Sequence, residues 1–356
     1  MKWTTATALL LALSAAGVGA AVVATREPMP PAEMLASVRS RMGRPLFDSA
    51  EALRELDAAL EGRGGRLTLQ LERDLLRTRA DLYADIGSLD RAREDVERLI
   101  ASHEAEALPD RDPLVQRLAL EAVQLQSEDG DLLPAFQRIE QLTTERPENA
   151  EAWLLKGDLA EKIARQGLTA EEPGLDQLLE RAGTDLTATQ FSRVRELIES
   201  LVSRDARDPD IEELEVQLAG VFEITQEAEL RWLLENVDAP RAWFSEARAA
   251  YSQSLGAALT PHAVVRLADS LVRAGQLDLA IKLQTIARHA PSVAHDPESA
   301  MSFLHALATG QRVAEVNALV RGWDWEQDTP AEFYRFAGEF LFESGDLQAL
   351  PYVAEG

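Results

Sequence analysis

The chain has 356 residues, no cysteine, and 61 acidic against 36 basic residues, for a formal net charge of −25. The missing cysteines exclude disulfides, thiolate metal sites, a cysteine nucleophile and a lipidated cysteine. The acidic surplus repels phosphate backbones and anionic membrane surfaces and argues against a nucleic-acid binder.

The first predicted element is an apolar leader. Residues 1–25 hold one charged side chain, Lys2, and nothing charged or strongly polar falls between Ala6 and Ala24. Such a stretch reads as a transmembrane anchor or a signal peptide. The basic residue ahead of it keeps the N-terminus inside. The expected location is therefore the cell membrane, single-pass with an extracytoplasmic domain, or the periplasm or exterior after cleavage. Residues 26–31, with Pro28, Pro30 and Pro31, read as a stiff tether.

From residue 32 onward the apolar residues recur at three and four, as in Leu53, Leu56 and Leu60 or Val194, Ile198 and Leu201. Breakers punctuate them every 12–18 residues. This predicts an all-α chain of short-linked antiparallel helices. The helices also repeat. Gly275, Gly310 and Gly345 are spaced by 35 and 35, and Gly87 and Gly130 sit in similar turns. Five residues after the glycine comes Ala92, Ala135 or Ala280; seven before it comes Ala80, Ala268 or Gly338. Glycine suits a left-handed helix cap, and the small residues let paired helices approach closely.

These residues resemble the tetratricopeptide repeat (TPR). Leu76, Ala80, Tyr83, Gly87, Ala92 and Val96 match one copy, and Ala119, Ala122, Gly130, Ala135, Ile139 and Pro147 a second. Trp153 and Gly157 open a third. Val264, Leu267, Ala268, Leu271, Gly275, Ala280 and Ala287 match a fourth, and Tyr334, Ala337, Gly338, Leu341 and Gly345 a fifth. Residues 298–322 read as a degraded copy, with Phe303 where a small residue belongs. The resemblance implies a right-handed superhelical stack of antiparallel helix hairpins, a TPR-like α-solenoid. It divides the chain into N-terminal hairpins (32–166), an irregular helical region (167–255) that is either worn repeats or an insert, and C-terminal hairpins (256–356). Phe336, Phe340, Phe342, Tyr352 and Val353 leave no polar cap at the C-terminal end. That face is expected to dock onto something or to continue into a longer protein.

No phosphate loop, nucleophile elbow or HExxH motif is present. His289 and His295 read as a surface turn, Trp232 and Trp243 as core, and Trp323 and Trp325 as seam plugs or an aromatic contact point. The chain is therefore expected to be non-catalytic, without cofactor, metal or small-molecule substrate, and to touch membrane only through its leader. The leading expectation is a protein-interaction scaffold of a bacterial-type cell envelope. The alternative is a docking arm of a larger enzyme or secretion component whose active part lies beyond residue 356.

Relatives of this repeat type that clamp acidic chaperone tails carry Lys and Asn at two places on each first helix. The matching places here hold Arg77 and Asp81, Leu120 and Gln124, Val265 and Asp269, and Arg335 and Glu339, which does not support such a clamp. In the repeat register, Val265, Val272, Leu304, Leu307 and Phe342 form an apolar strip along the groove. Asp269, Glu332, Glu339 and Glu343 edge it. That pattern suits a protein or peptide with apolar anchors and basic residues.

Overall fold

A computed structural model describes residues 29–45, 47–62, 67–105, 113–169, 172–183, 186–222, 226–322 and 331–345. The leader, most of the tether, Trp323, Trp325, Tyr352 and Val353 lie outside these residues. Among the described residues no helix is long and apolar enough to cross a membrane. The chain falls into two compact units, Met1–Asp129 and Gly130–Gly356.

The first unit holds α1 (Pro31–Arg41), α2 (Ser49–Leu60), α3 (Leu69–Asp85), α4 (Leu89–Glu104) and α5 (Pro113–Glu128). Side-chain caps start two of them: Asp48 accepts from Glu51 N–H and Thr68 from Leu71 N–H. Gly87, at φ +76°, ends α3, and Ser88 N–H reaches back to the Tyr83 carbonyl at 2.8 Å. Each helix packs on its chain neighbour. The repeat residues Leu76, Ala80, Tyr83, Ala92 and Val96 are all buried. Arg79 crosses three helices, with two bonds to Asp95 (2.6 and 2.7 Å) and one to Asp57 (2.6 Å). Burial opposes its charge, but the two carboxylates more than offset this and its pKa stands above the usual value.

The second unit opens with α6 (Leu132–Glu145) and α7 (Ala150–Gln166). The most extensive helix pairing among the described residues joins α7 to α12 (Asp238–Ala257), far away in sequence. The pair is antiparallel. Ser254 Oγ donates to the Ala150 carbonyl at one end, Gly157 meets the Tyr251 ring midway, and Arg165 covers the Phe244 ring at the other.

Residues 167–237 therefore lie between the two helices of one hairpin. They hold the antiparallel strands β1 (Gly167–Thr169) and β2 (Glu172–Pro173). The helices α8 (Leu175–Ala182), α9 (Ala188–Ser203), α10 (Ile211–Ala219) and α11 (Glu227–Asn236) follow. This segment gathers its own core, including Leu178, Leu197, Ile198, Leu201, Leu218 and Leu233. Trp232 and Trp243 pack against that core while remaining half-buried. The region 167–255 thus divides: its first part is an insert, and residues 238–255 belong to the repeat. Arg241 Nε donates to the Leu201 carbonyl and Arg248 Nη1 to the Ser203 carbonyl, satisfying C-terminal carbonyls of α9 that have no partner within the helix.

The repeats then resume with α13 (Pro261–Arg273) and α14 (Leu277–Ala287). After them come a single turn α15 (Pro291–Ala294), α16 (Pro297–Thr309), α17 (Val313–Gly322) and α18 (Ala331–Glu343). The fold is all-α, a TPR-like α-solenoid of stacked hairpins. One turn departs from expectation. Gly275 and Gly345 have φ +74° and +77°, but Gly310 has φ −79° and Gln311, at φ +54°, takes the left-handed position. Arg312 N–H reaches the Leu307 carbonyl at 2.9 Å, as Gln276 N–H reaches Leu271. The left-handed residues are therefore 275, 311 and 345, so this copy is displaced by one residue.

Candidate functional site

One residue on a helix is about 100° of rotation, so the displacement changes which side chains α16 presents. Counted from Gln311, Leu304 takes the place of Ala268 and Leu307 that of Leu271, and both are fully buried in the core with Ala300, Val316 and Val320. They cannot meet a partner, which corrects their expected place on the apolar strip. The positions matching Val265 and Asp269 are instead Met301 and His305.

The structure brings these residues together. A groove of about 400 Å³ lies between α13 and α16. Val265, Asp269 and Val272 line one side, and Met301, Ser302 and His305 the other. Val265 is buried at its floor and Val272 half-buried. Asp269, expected on the edge of the strip, is half-buried and accepts the Ser302 hydroxyl at 2.7 Å. Arg273 borders the groove and is held by Glu161 at 2.9 Å. His262 Nδ1 meets Glu298 at 2.9 Å on the rim, and the His305 ring stacks at a tilt on Phe336, 4.1 Å between centroids.

The groove lining does not reach Glu332, Glu339, Phe342 and Glu343, which are exposed on α18. His289 and His295 are exposed and separate from the groove, and no cluster of three potential metal ligands occurs among the described residues.

Beside the groove, Tyr251 is buried with its hydroxyl 2.9 Å from Asp158 and 3.2 Å from Glu161. Arg266 pairs with the same Asp158. Burial pushes the Asp158 carboxyl above its ordinary value despite Arg266 beside it. Burial and the two acids push the Tyr251 phenol up as well. Sequence spacing gave no sign of this cluster, because α7 and α12 are joined only through the insert. It also missed a second hollow of about 360 Å³, floored by Leu267, Leu271, Leu279 and Leu283 between α12 and α14. The one charged group on its edge, Arg248, is engaged by Asp205.

No protein-family model matches the chain, and no curated protein matches it. Among solved structures it is similar to a monomeric mutant of IFIT1 with Gppp-AAAA, at 13% identity and a TM-score of 0.26. That match covers 86% of this chain and 64% of the other, so the chain spans a little under two thirds of that protein. It is also similar to the APC/C hetero-tetramer Cut9–Hcn1, at 12% identity and a TM-score of 0.23, covering 87% and 70%. A third is the human IFIT1 dimer with PPP-AAAA, at 13% identity and a TM-score of 0.17, covering 90% and 92%. The fold assignment rests on the hairpins and caps described above.

Proposed function

We propose that this chain is a non-catalytic scaffold of a bacterial-type cell envelope that holds a polypeptide partner in the groove between α13 and α16. One observation carries the reading. Equivalent positions of two successive first helices, Val265 with Met301 and Asp269 with His305, converge on a single open groove with an apolar floor and an acidic edge. Such a groove suits an extended segment or a helix with apolar anchors. The apolar leader and the prolines after it support anchorage at the membrane with the repeats outside the cytoplasm.

Photo-crosslinking in cells tests the site. A benzophenone side chain placed at Met301 or His305 should give discrete protein adducts. The same group at Ile286, exposed on α14 and outside the groove lining, should give none. Adducts from Ile286 alone would refute the groove. A periplasm-active reporter fused after Pro31 should be active; an inactive fusion would refute the location.

A further inference from the structure

We infer that Asp269 makes this groove selective for partner segments carrying Lys or Arg at one register, and that Ser302 and Gln284 are its positioning residues. The inference rests on the groove reading above and adds the chemistry of the occupant. Gln284 is fully buried on α14, and its Nε2–H donates to Ser302 Oγ at 2.8 Å. The Ser302 oxygen is thereby the acceptor, so its single proton points onward to Asp269 Oδ1 at 2.7 Å. A donor chain rooted in the core thus ends on one carboxylate oxygen and holds the Asp269 rotamer. The Gln284 oxygen has no partner. An apolar residue there would avoid that cost, so what the position gains from glutamine is the donor.

The other carboxylate oxygen of Asp269 is left for the groove. Among the described residues no Lys or Arg pairs with it, and the nearby cations are engaged, Arg273 by Glu161 and Arg266 by Asp158, while the His262 ring is held by Glu298. Val265, Val272 and Met301 line the same groove as the carboxylate. That is the environment of a long basic side chain, whose methylene stem lies on apolar surface while its head meets a fixed anion. A partner carboxylate or phosphate in the same place would face an anion that cannot turn away.

The test uses the full-length chain in detergent micelles and a randomised twelve-residue peptide library. Retained peptides should share a Lys or Arg at a fixed distance from an apolar residue. Resynthesis with norleucine at that position should weaken binding by about ten-fold, the loss of one charge-assisted contact. Asp269→Asn should bind both versions within about two-fold of each other, at the strength of the norleucine peptide. Ser302→Ala and Gln284→Met keep the carboxylate but loosen it, and should reduce the preference to about three-fold with helical circular dichroism unchanged. Retained peptides without basic residues, or an undiminished preference in Asp269→Asn, would overturn the inference. The groove reading would survive either result if Met301→Arg abolishes retention. A library from which nothing is retained, or retention untouched by Met301→Arg, overturns both.

Discussion

Replacing Gly157 by alanine should destabilise the protein, although the same change in an ordinary helix stabilises. A Cβ at residue 157 would lie 2.3 Å from Cε1 and 2.5 Å from Cδ1 of Tyr251. The ring cannot retreat, because Tyr251 is fully buried and its hydroxyl is tied to Asp158 and Glu161. Gaining helix propensity contributes about 1 kcal/mol. Overpacking costs about 1–3 kcal/mol, and a weakened hydrogen bond to a carboxylate about 1.5–3 kcal/mol. The net expectation is a loss of about 1.5–5 kcal/mol. Gly256, on α12, supplies the control, since a Cβ there meets nothing within 4 Å. Gly256→Ala should stabilise by about 0.5–1 kcal/mol.

Urea unfolding followed by helical circular dichroism measures both. The decisive comparison is a second background. In Tyr251→Ala the obstacle is gone, and Gly157→Ala should change sign and become stabilising, a coupling well above 1 kcal/mol. A Gly157→Ala protein as stable as the parent, or an effect identical in both backgrounds, would refute the close packing of α7 on α12.

Three further outcomes follow from the packing and charge pairing. Gln311→Gly should stabilise by about 0.5–1 kcal/mol by relieving a left-handed residue, while Gly275→Ala should cost more than about 1 kcal/mol. The alanine would add a strained φ of +74° to a Cβ 2.8 Å from the Arg204 guanidinium; denaturation midpoints moving the other way would return the repeat to its glycine register. Asp95→Ala strips Arg79 of its two-bond partner and should destabilise by about 2–4 kcal/mol, with Arg79→Lys restoring little; a neutral thermal-unfolding result would contradict the bridge. Burial raises the Asp158 pKa above its ordinary 3.8, so the folded form holds that proton more tightly than the unfolded chain. Ionisation therefore costs the folded state: relative to Asp158→Asn, the parent should lose stability as pH climbs through the window just above 3.8 and level off beyond it. Urea midpoints of both proteins with the opposite slope would refute this.

The helical hairpins were legible because cap and packing requirements leave marks at fixed spacing. Gly87, Gly130, Gly275 and Gly345 all carry positive φ, and Ala80, Ala92, Ala135, Ala268 and Ala280 are buried. The displaced turn was illegible for a physical reason. Gly310 supplies the residue type that the cap favours, yet the chain places Gln311 there, and that choice lets Leu304 and Val316 fill the core instead of Phe303 and Glu315. Once the register moved, two residues of the expected strip became core and Met301 and His305 took their place. Val265, Asp269 and Val272 kept their register on α13, which ends on a true glycine cap. The Ser302–Gln284 support was beyond reach, since a buried serine and a buried glutamine leave no periodic signal.

The insert explains why the middle of the chain lost its signature while the hairpins on either side kept theirs. Lengthening a hairpin loop from about four to about seventy residues costs only about 2.5 kcal/mol of closure entropy, because the cost rises with the logarithm of length. The interdigitation of Gly157 with Tyr251 and the insert's own core can offset that amount. What defines the hairpin is packing across the pair, so α13 docks beside α7 as it would after a short loop. Arg266 reaches Asp158 and Arg273 reaches Glu161. Arg273 in turn borders the groove. A side chain from before the insert therefore fixes a wall of the site that follows it, and the row of first helices stays continuous through a segment whose sequence shows no repeat at all.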